Sequence, residues 1–341
     1  MFRALSKLPA LALACLAACA AARADEVEDF YRGATVKVLI GYDTGTGYDV
    51  FARALARHLG AYIPGKPQVL PQNMPGAASL TMMNHLYNIA PRDGSVIALP
   101  ARNLYTEPLF GNDRARYDPA RFSMIGNMSR DVALCVAWRG SGVSTFGDVR
   151  EREILIGATA PNSISTIYPQ VLNALLGTRF RIVAGYTDAN AISLAMERGE
   201  IQGYCGYTIA SIKSAHPDWL EKDLAKIFVL LSLERSAQAP GVPTVLELVD
   251  DEPARQALTL VFGDLTLGRP VAGPPDIPPA RLAALRKAFD ETMRDPEFLR
   301  DAARTKIDID PMTGEEAARV LARILAAPAA AVKRVMDIRG Q

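Results

Sequence analysis

Gly41-Tyr-Asp-Thr-Gly-Thr-Gly-Tyr-Asp49 and Asn73-Met-Pro-Gly-Ala-Ala-Ser79 are two glycine-bearing turns, each lying between a strand-like run and a helix-like run. Residues 35–41 before the first turn are apolar over a strand's length. In residues 50–59 after it, Phe51, Leu55 and His58/Leu59 recur three and four apart while Arg53 and Arg57 fall elsewhere, the pattern of a helix with one apolar face. The first N–H groups of a helix have no intrahelical acceptor and carry the positive end of its dipole. Two helix starts brought to one place can therefore hold an anion with backbone alone, without Lys or Arg. The ligand expected from this stretch is a small anion.

The alternation continues outward. Residues 68–70 and 95–99 read as further strands and 77–89 and 101–110 as the helices after them, which predicts a parallel sheet with helices on both faces. A second series begins near Val132, with strands at 132–138, 154–158, 180–184 and 201–204, helices at 163–176 and 189–198, and a last strand at 227–233. The expected fold class is α/β with two lobes, each a mainly parallel sheet flanked by helices. Lobe 1 is expected over 25–128, lobe 2 over 129–234, and a return to lobe 1 with C-terminal helices over 235–341. The crossings, near 126–132 and 234–243, would act as a hinge. In the last part Pro278 and Pro279 start a helix on which Leu282, Leu285, Phe289 and Met293 share a face, and Thr313 with Glu316 forms a capping box for a helix over 314–326.

Residues 1–24 read as an export signal: Arg3 and Lys7 precede a short apolar core, and Ala22-Arg-Ala24 offers a small-x-small cleavage site before Asp25. The core is shorter than the roughly 20 apolar residues that span a bilayer. Leu16-Ala-Ala-Cys19 also fits the lipoprotein pattern, which would leave Cys19 acylated; soluble release after Ala24 is the expected course. Cleavage there removes three basic residues and no acids, taking 38 basic against 37 acidic residues to 35 against 37. So even a balance excludes a general nucleic-acid or membrane-surface binder. Cys135 and Cys205 alone remain, both in apolar strand-like runs; an oxidising compartment would allow them to pair, but the expected state is two buried free thiols. His58, His85 and His216 are scattered without a Cys/His cluster, so neither a metal site nor a cofactor is expected.

Two phosphate-binding patterns fail on their own residues. Gly60-Ala-Tyr-Ile-Pro-Gly65-Lys66 has the spacing of a P-loop, but it follows a helix and Pro67 stands where Ser or Thr would bind magnesium. Gly45-Thr-Gly47 lacks the third glycine of a dinucleotide fingerprint, since Val50 occupies its place. Neither Gly-x-Ser-x-Gly nor His-Glu-x-x-His occurs, and no catalytic residue is assigned.

The turns carry the candidates. In the first, Gly45 and Gly47 let the backbone approach a ligand, Tyr42 and Tyr48 stand beside them, Thr44 and Thr46 offer hydroxyls, and Asp49 either contributes to the site or only caps the helix. In the second, Asn73, Pro75 and Gly76 repeat the logic, Ala77 and Ala78 keep side chains out of the way, and Ser79 offers a hydroxyl. In the second lobe Thr159-Ala-Pro-Asn-Ser-Ile-Ser165 joins a strand to a helix, with Asn162, Ser163 and Ser165 as ligand contacts or plain caps. Tyr186 and Thr187 follow another strand, at the end where open α/β sheets bind ligands.

Taken together, these motifs resemble a known family. Ile40 to Asp49 is similar to the Pro-Phe-Pro-Ala-Gly-Gly-Gly-Thr-Asp turn of the tripartite tricarboxylate transporter receptors, the extracytoplasmic solute-binding proteins also called Bug receptors. Asn73-Met-Pro-Gly-Ala-Ala78 resembles their Asn-x-Pro-Gly-Ala-Gly, Pro91-Arg-Asp-Gly94 their Pro-x-Asp-Gly, and Gly241-Val-Pro-Thr244 with Glu247 their Val-Pro-Thr-x-x-Glu. Order and spacing match over nearly all of the chain after the signal. The resemblance implies a two-lobed "Venus flytrap" in the periplasm. It further implies a carboxylate held by the first-lobe turns, a hydroxyl-bearing helix start holding the distal part of the ligand, and a monomer that delivers its cargo to a two-subunit membrane permease. Three positions depart from the pattern: Asp43 stands where Pro is usual, Tyr186-Thr-Asp188 replaces Tyr-Lys-Gly, and Gly206 falls where Asp is common. Two rival readings are a lipid-anchored sensor feeding a signalling partner and a periplasmic hydrolase.

Overall fold

Val36, Val38, Leu39 and Ile40 are all buried in β1 (Thr35–Ile40), the near-continuous apolar run of a strand covered on both faces. The computed structural model describes residues 26–160 and 163–340; the stretch 1–24 read as an export signal, with Cys19, and Asn162 lie outside the described residues. After β1 come α1 (Gly47–Leu59), β2 (Gln68–Asn73), α2 (Leu80–Asn88), β3 (Val96–Leu99) and β4 (Ser123–Asn127). The chain then runs through β5 (Ala133–Trp138), α3 (Asp148–Glu151), β6 (Ile154–Ala158), α4 (Ile164–Leu176), β7 (Phe180–Ala184) and α5 (Ala189–Glu197). Next are β8 (Gly203–Thr208), α6 (Ile209–Ala215), α7 (Pro217–Glu221), β9 (Ala225–Leu231) and α8 (Glu252–Thr266). It ends with β10 (Pro270–Gly273), α9 (Pro279–Arg294), α10 (Pro296–Arg304), β11 (Met312–Thr313), α11 (Gly314–Leu325) and α12 (Ala329–Arg339).

These elements form two α/β units. Unit 1 holds the described residues up to Leu104, Asp113–Ser129 and Arg269–Ala318; unit 2 holds Tyr105–Asn112, Arg130–Gly268 and residues 319–340. The sheet of unit 1 has the order β11-β4-β10-β3-β1-β2, with β1 parallel to both neighbours and β10, β4 and β11 antiparallel. The sheet of unit 2 has the order β7-β6-β8-β5-β9, with β6 parallel to both neighbours and β5 antiparallel to both of its own. Both sheets are thus mixed, each built around a parallel βαβ centre.

Three expectations change. The return from the second unit comes at Gly268/Arg269 rather than over 234–243, and residues 319–340 belong to unit 2. The reason is packing: Leu258, Phe262 and Leu265 of α8 are buried, the Phe262 ring lies 5.1 Å from Tyr168 of α4, and α12 buries Ala331 and Val335 against α8 and α4. Residues 101–110 form two short 3-10 turns, Arg102–Tyr105 and Glu107–Phe110, instead of one helix. Pro108, which has no N–H to give a helix, stands in the second. Cys135 and Cys205 are disulfide-bonded, which overturns the expectation of free thiols. They are 70 residues apart in sequence, but β5 and β8 are antiparallel neighbours whose register sets one cysteine opposite the other, Cα to Cα 4.1 Å.

Candidate functional site

In each unit the strand order reverses at the first strand of the parallel centre, β1 between β2 and β3, and β6 between β7 and β8. At such a switch point the connections leave in opposite directions and open a crevice at the carboxyl ends of the strands. The first quoted turn follows β1 and the second follows β2, so both reach the same edge of the unit 1 sheet. Residues 100–104 after β3 arrive there too, as does Arg269, because β10 runs antiparallel to β3. The two turns touch. A Cβ on Gly41 would stand 1.6 Å from the Ser79 Oγ, so only glycine admits this approach.

Asp49 organises the first turn. Its carboxylate, 2% exposed, accepts from the Gly45 N–H (2.9 Å), from Arg53 Nε (2.9 Å to each oxygen) and from Asn73 Nδ2 (2.8 Å). Burial pushes its pKa up, but Arg53, the Gly45 amide and Asn73 together outweigh burial and hold it below the usual carboxylate value. Thr46 is the N-cap of α1, and its hydroxyl donates to the Asp43 carbonyl (2.9 Å). Asn73 also donates to the Tyr42 carbonyl (2.9 Å) and accepts from Arg53 Nη2 (2.7 Å) and Thr44 Oγ1 (3.4 Å), tying the two turns together. Asp49, Asn73, Thr44 and Thr46 are therefore engaged with one another, and the Gly45 N–H with Asp49. Gly47, the first residue of α1, is exposed, and so is Asp43.

Backbone conformation shapes the second turn. Gly76 has φ 138°, and Ala77, Ala78 and Ser79 follow with φ of 46°, 51° and 78°. Three successive non-glycine residues in the left-handed region store strain, about 1–3 kcal/mol each. The turn leads directly into α2, whose first N–H groups have no intrahelical acceptor. Pro75, Gly76, Ala77 and Ala78 are exposed, whereas Ser79 is wholly buried, its hydroxyl accepting from the Ala101 N–H (3.4 Å).

Sequence reasoning missed two arginines at this edge, since neither lies in a motif. The Tyr42 and Tyr48 rings stack at 4.9 Å with a 25° interplanar angle. The Tyr48 hydroxyl accepts from the Arg102 N–H (3.2 Å), and the Arg269 guanidinium lies over the Tyr48 ring at 4.7 Å and the Phe51 ring at 5.1 Å. Burial raises the Tyr42 phenol, with Tyr48 adding to the effect and Arg102 and Arg269 opposing it. The only signal in the sequence is their position: Arg102 directly after β3 and Arg269 directly before β10.

In unit 2 the hydroxyls meet each other. The Ser165 Oγ, 2% exposed, accepts from the Thr159 N–H (3.1 Å) and lies 2.6 Å from the Ser163 Oγ, while Ser163 and Thr166 both contact the Ala160 carbonyl (2.8 Å each). Tyr186 follows β7 at the same edge, its N–H bound to the Ala158 carbonyl (3.2 Å), with Thr187 exposed beside it. Asp188 caps α5 by accepting from the Ala191 N–H (2.9 Å). Elsewhere in the unit Ser193 Oγ lies 3.0 Å from His216 Nε2. Ser193 is 2% exposed, and its hydroxyl also meets the Ala189 carbonyl (2.8 Å) and the Tyr207 hydroxyl, so it is enclosed among protein partners. Among the described residues no group of three or more His, Cys, Asp or Glu is arranged to hold a metal ion, and no helix is long and apolar enough to cross a membrane.

No family model matches the chain, and no curated protein does. Solved structures do. A TctC solute-binding protein from Polaromonas, without ligand, matches with a TM-score of 0.72 over 90% of this chain and 99% of that one, at 19% identity. The fold is that of the TctC and Bug periplasmic binding proteins. BugD matches with a TM-score of 0.53 at 16% identity, covering 91% of this chain and 99% of its own. MatC from Rhodopseudomonas palustris, with bound malate, matches with a TM-score of 0.53 at 17% identity, covering 89% and 98%. In this chain the TctC-like fold carries both quoted turns on the switch-point edge of its first sheet.

Proposed function

We propose that the chain is an extracytoplasmic solute-binding protein that captures a small carboxylate at the loop edge of unit 1 and delivers it to a two-subunit membrane permease of the tripartite tricarboxylate type. The observation that carries this reading is the meeting of the two turns. Gly41 against Ser79 and Asn73 against Tyr42 bring the exposed start of α1 at Gly47 and the left-handed turn 76–79 to one edge. A helix terminus contributes about 0.3 to 2 kcal/mol to holding an anion. Micromolar affinity needs about 8 kcal/mol, so this reading requires several donors to converge at the edge. A protein of the same fold holds malate. The signal-like N-terminus, whether it is cut after Ala24 or lipidated at Cys19, supports delivery to the periplasm. We read the receptor as a monomer, with Ser163, Ser165, Tyr186 and Thr187 of unit 2 shaping its second ligand-facing edge and no bond made or broken in the ligand.

Thermal shift with mono-, di- and tricarboxylates tests the reading, because a ligand that binds only the folded form raises the melting temperature. A Cβ at Gly76 would stand 2.6 Å from Thr81 Oγ1 at a φ of 138°, so Gly76→Val should abolish the shift while the protein still folds. An unchanged affinity in that variant would remove this edge from consideration. The Cys19 alternative favours a lipid-anchored sensor with the same ligand; pull-down of a sensor-kinase ectodomain in place of a permease would establish it.

A further inference from the structure

We infer that unit 2 takes its Cys135–Cys205 bond from an external disulfide donor while its sheet is still open, and that packing of the sheet then closes the bond to exchange. Between residue 25 and the end of the chain these are the only cysteines, so a single pairing exists and no shuffling partner is needed. A donor alone suffices.

Both residues stand inside the sheet of unit 2. In the order β7-β6-β8-β5-β9, β8 is flanked by β6 and β5, and β5 by β8 and β9. Cys135 is paired with Cys205 on one side and with Val229 of β9 on the other. The two cysteines are 0% exposed, Leu134, Val136 and Val229 beside them are equally buried, and α4 packs against β8. Exchange needs an outside sulfur in contact with one of the cysteine sulfurs, because it passes through a mixed disulfide. With both residues sealed from solvent, no such contact is open in the packed unit.

On the unpacked chain the step balances. One cysteine thiolate attacks a sulfur of the donor R–S–S–R and expels a thiolate, which takes up a proton. The other cysteine thiolate then attacks the protein-side sulfur of the mixed disulfide, forms the Cys135–Cys205 bond and expels the second thiolate. The chain gives up two electrons and two protons, and the donor leaves as two thiols. Ring closure over 70 residues costs entropy, which falls away once β5 lies beside β8 and the register sets one cysteine opposite the other, Cα to Cα 4.1 Å. Strand pairing therefore opens the window for the second displacement, and burial of the sheet shuts it.

Dithiothreitol and glutathione disulfide test the two halves, with the state of Cys135 and Cys205 read by acid quench, alkylation and mass spectrometry. Dithiothreitol should reduce the oxidised protein about a hundredfold more slowly in native buffer than in unfolding urea, since reduction must await opening of the sheet. For the forward step, reduced and unfolded protein is diluted to refold without oxygen. Glutathione disulfide is present from the start, or is added once amide exchange has slowed across β5 and β8. Late addition should form the bond about tenfold more slowly than early addition. A reduced chain whose β5 and β8 gain protection only after the donor arrives agrees with the inference as well. Reduction at one rate in both buffers, or late addition as fast as early on a protected chain, overturns it. Neither readout involves the ligand, so failure here leaves the carboxylate reading in place.

Discussion

The loop edges of the two units solve the same problem with different chemistry. Unit 1 shapes its turns with a buried charge, Asp49 held by Arg53, Asn73 and the Gly45 amide, and with a run of left-handed residues. Unit 2 uses neutral hydroxyls, Ser163, Ser165, Thr159 and Thr166 turned on one another and on the Ala160 carbonyl, with a disulfide between β5 and β8 in the same sheet. The difference teaches which edge is strained: where side chains and backbone are forced into uncommon states, something other than stability is being served. Unit 1 is that edge.

The contrast can be broken most heavily at the disulfide. Replacing Cys135 and Cys205 together with Ala should lower the stability of unit 2 by about 4 kcal/mol, the loop-closure figure for a separation of this length, in a urea titration. Anion binding at unit 1 should survive it. Next is the contact between the turns: Gly41→Ala places a Cβ 1.6 Å from Ser79 Oγ and 3.1 Å from its Cα, and overpacking of this kind costs about 1–3 kcal/mol. Here affinity should fall with stability, unlike the cysteine variant. Asp49→Ala should cost about 2 kcal/mol through lost hydrogen bonds to a charged group, whereas Ser163→Ala in unit 2 should cost about 1 kcal/mol, both by thermal unfolding.

The smallest effect separates the units by pH. The folded pKa of Asp49 lies below its ordinary value of 3.8, so its contribution is complete above that value and is lost as pH falls through the lower folded one. His216 is held below 6.5, burial outweighing the opposing charge of Glu197, so its contribution is complete above pH 6.5 and is lost on milder acidification. Hydrogen exchange at pH 5 should show faster opening around residues 189–216 and none around residues 41–79. Simultaneous loosening of both would deny the contrast.

Much of unit 1 was legible because its signals are local. The helix after Gly47, the helix at Pro279–Arg294 and the box in which Thr313 and Glu316 cap each other (2.9 and 3.3 Å) follow from spacing and capping chemistry within a few residues. The roles of polar site residues were less legible. Asp49, Asn73, Ser79 and Ser165 are the residue types a binding site needs, and the same chemistry let each be satisfied by a neighbour that no spacing rule reveals.

By itself the sequence determined that strands and helices alternate and that two glycine turns stand at helix starts, since each is written in periodicity or in residues close together. Tertiary structure alone decided the rest: that β8 lies against β5 and joins Cys205 to Cys135, that α8 and α12 belong to unit 2, and that Arg102 and Arg269 meet the Tyr42–Tyr48 stack. Strand order and helix packing are settled by how buried surfaces fit across long stretches of chain, and that fit has no signature in any short window of residues.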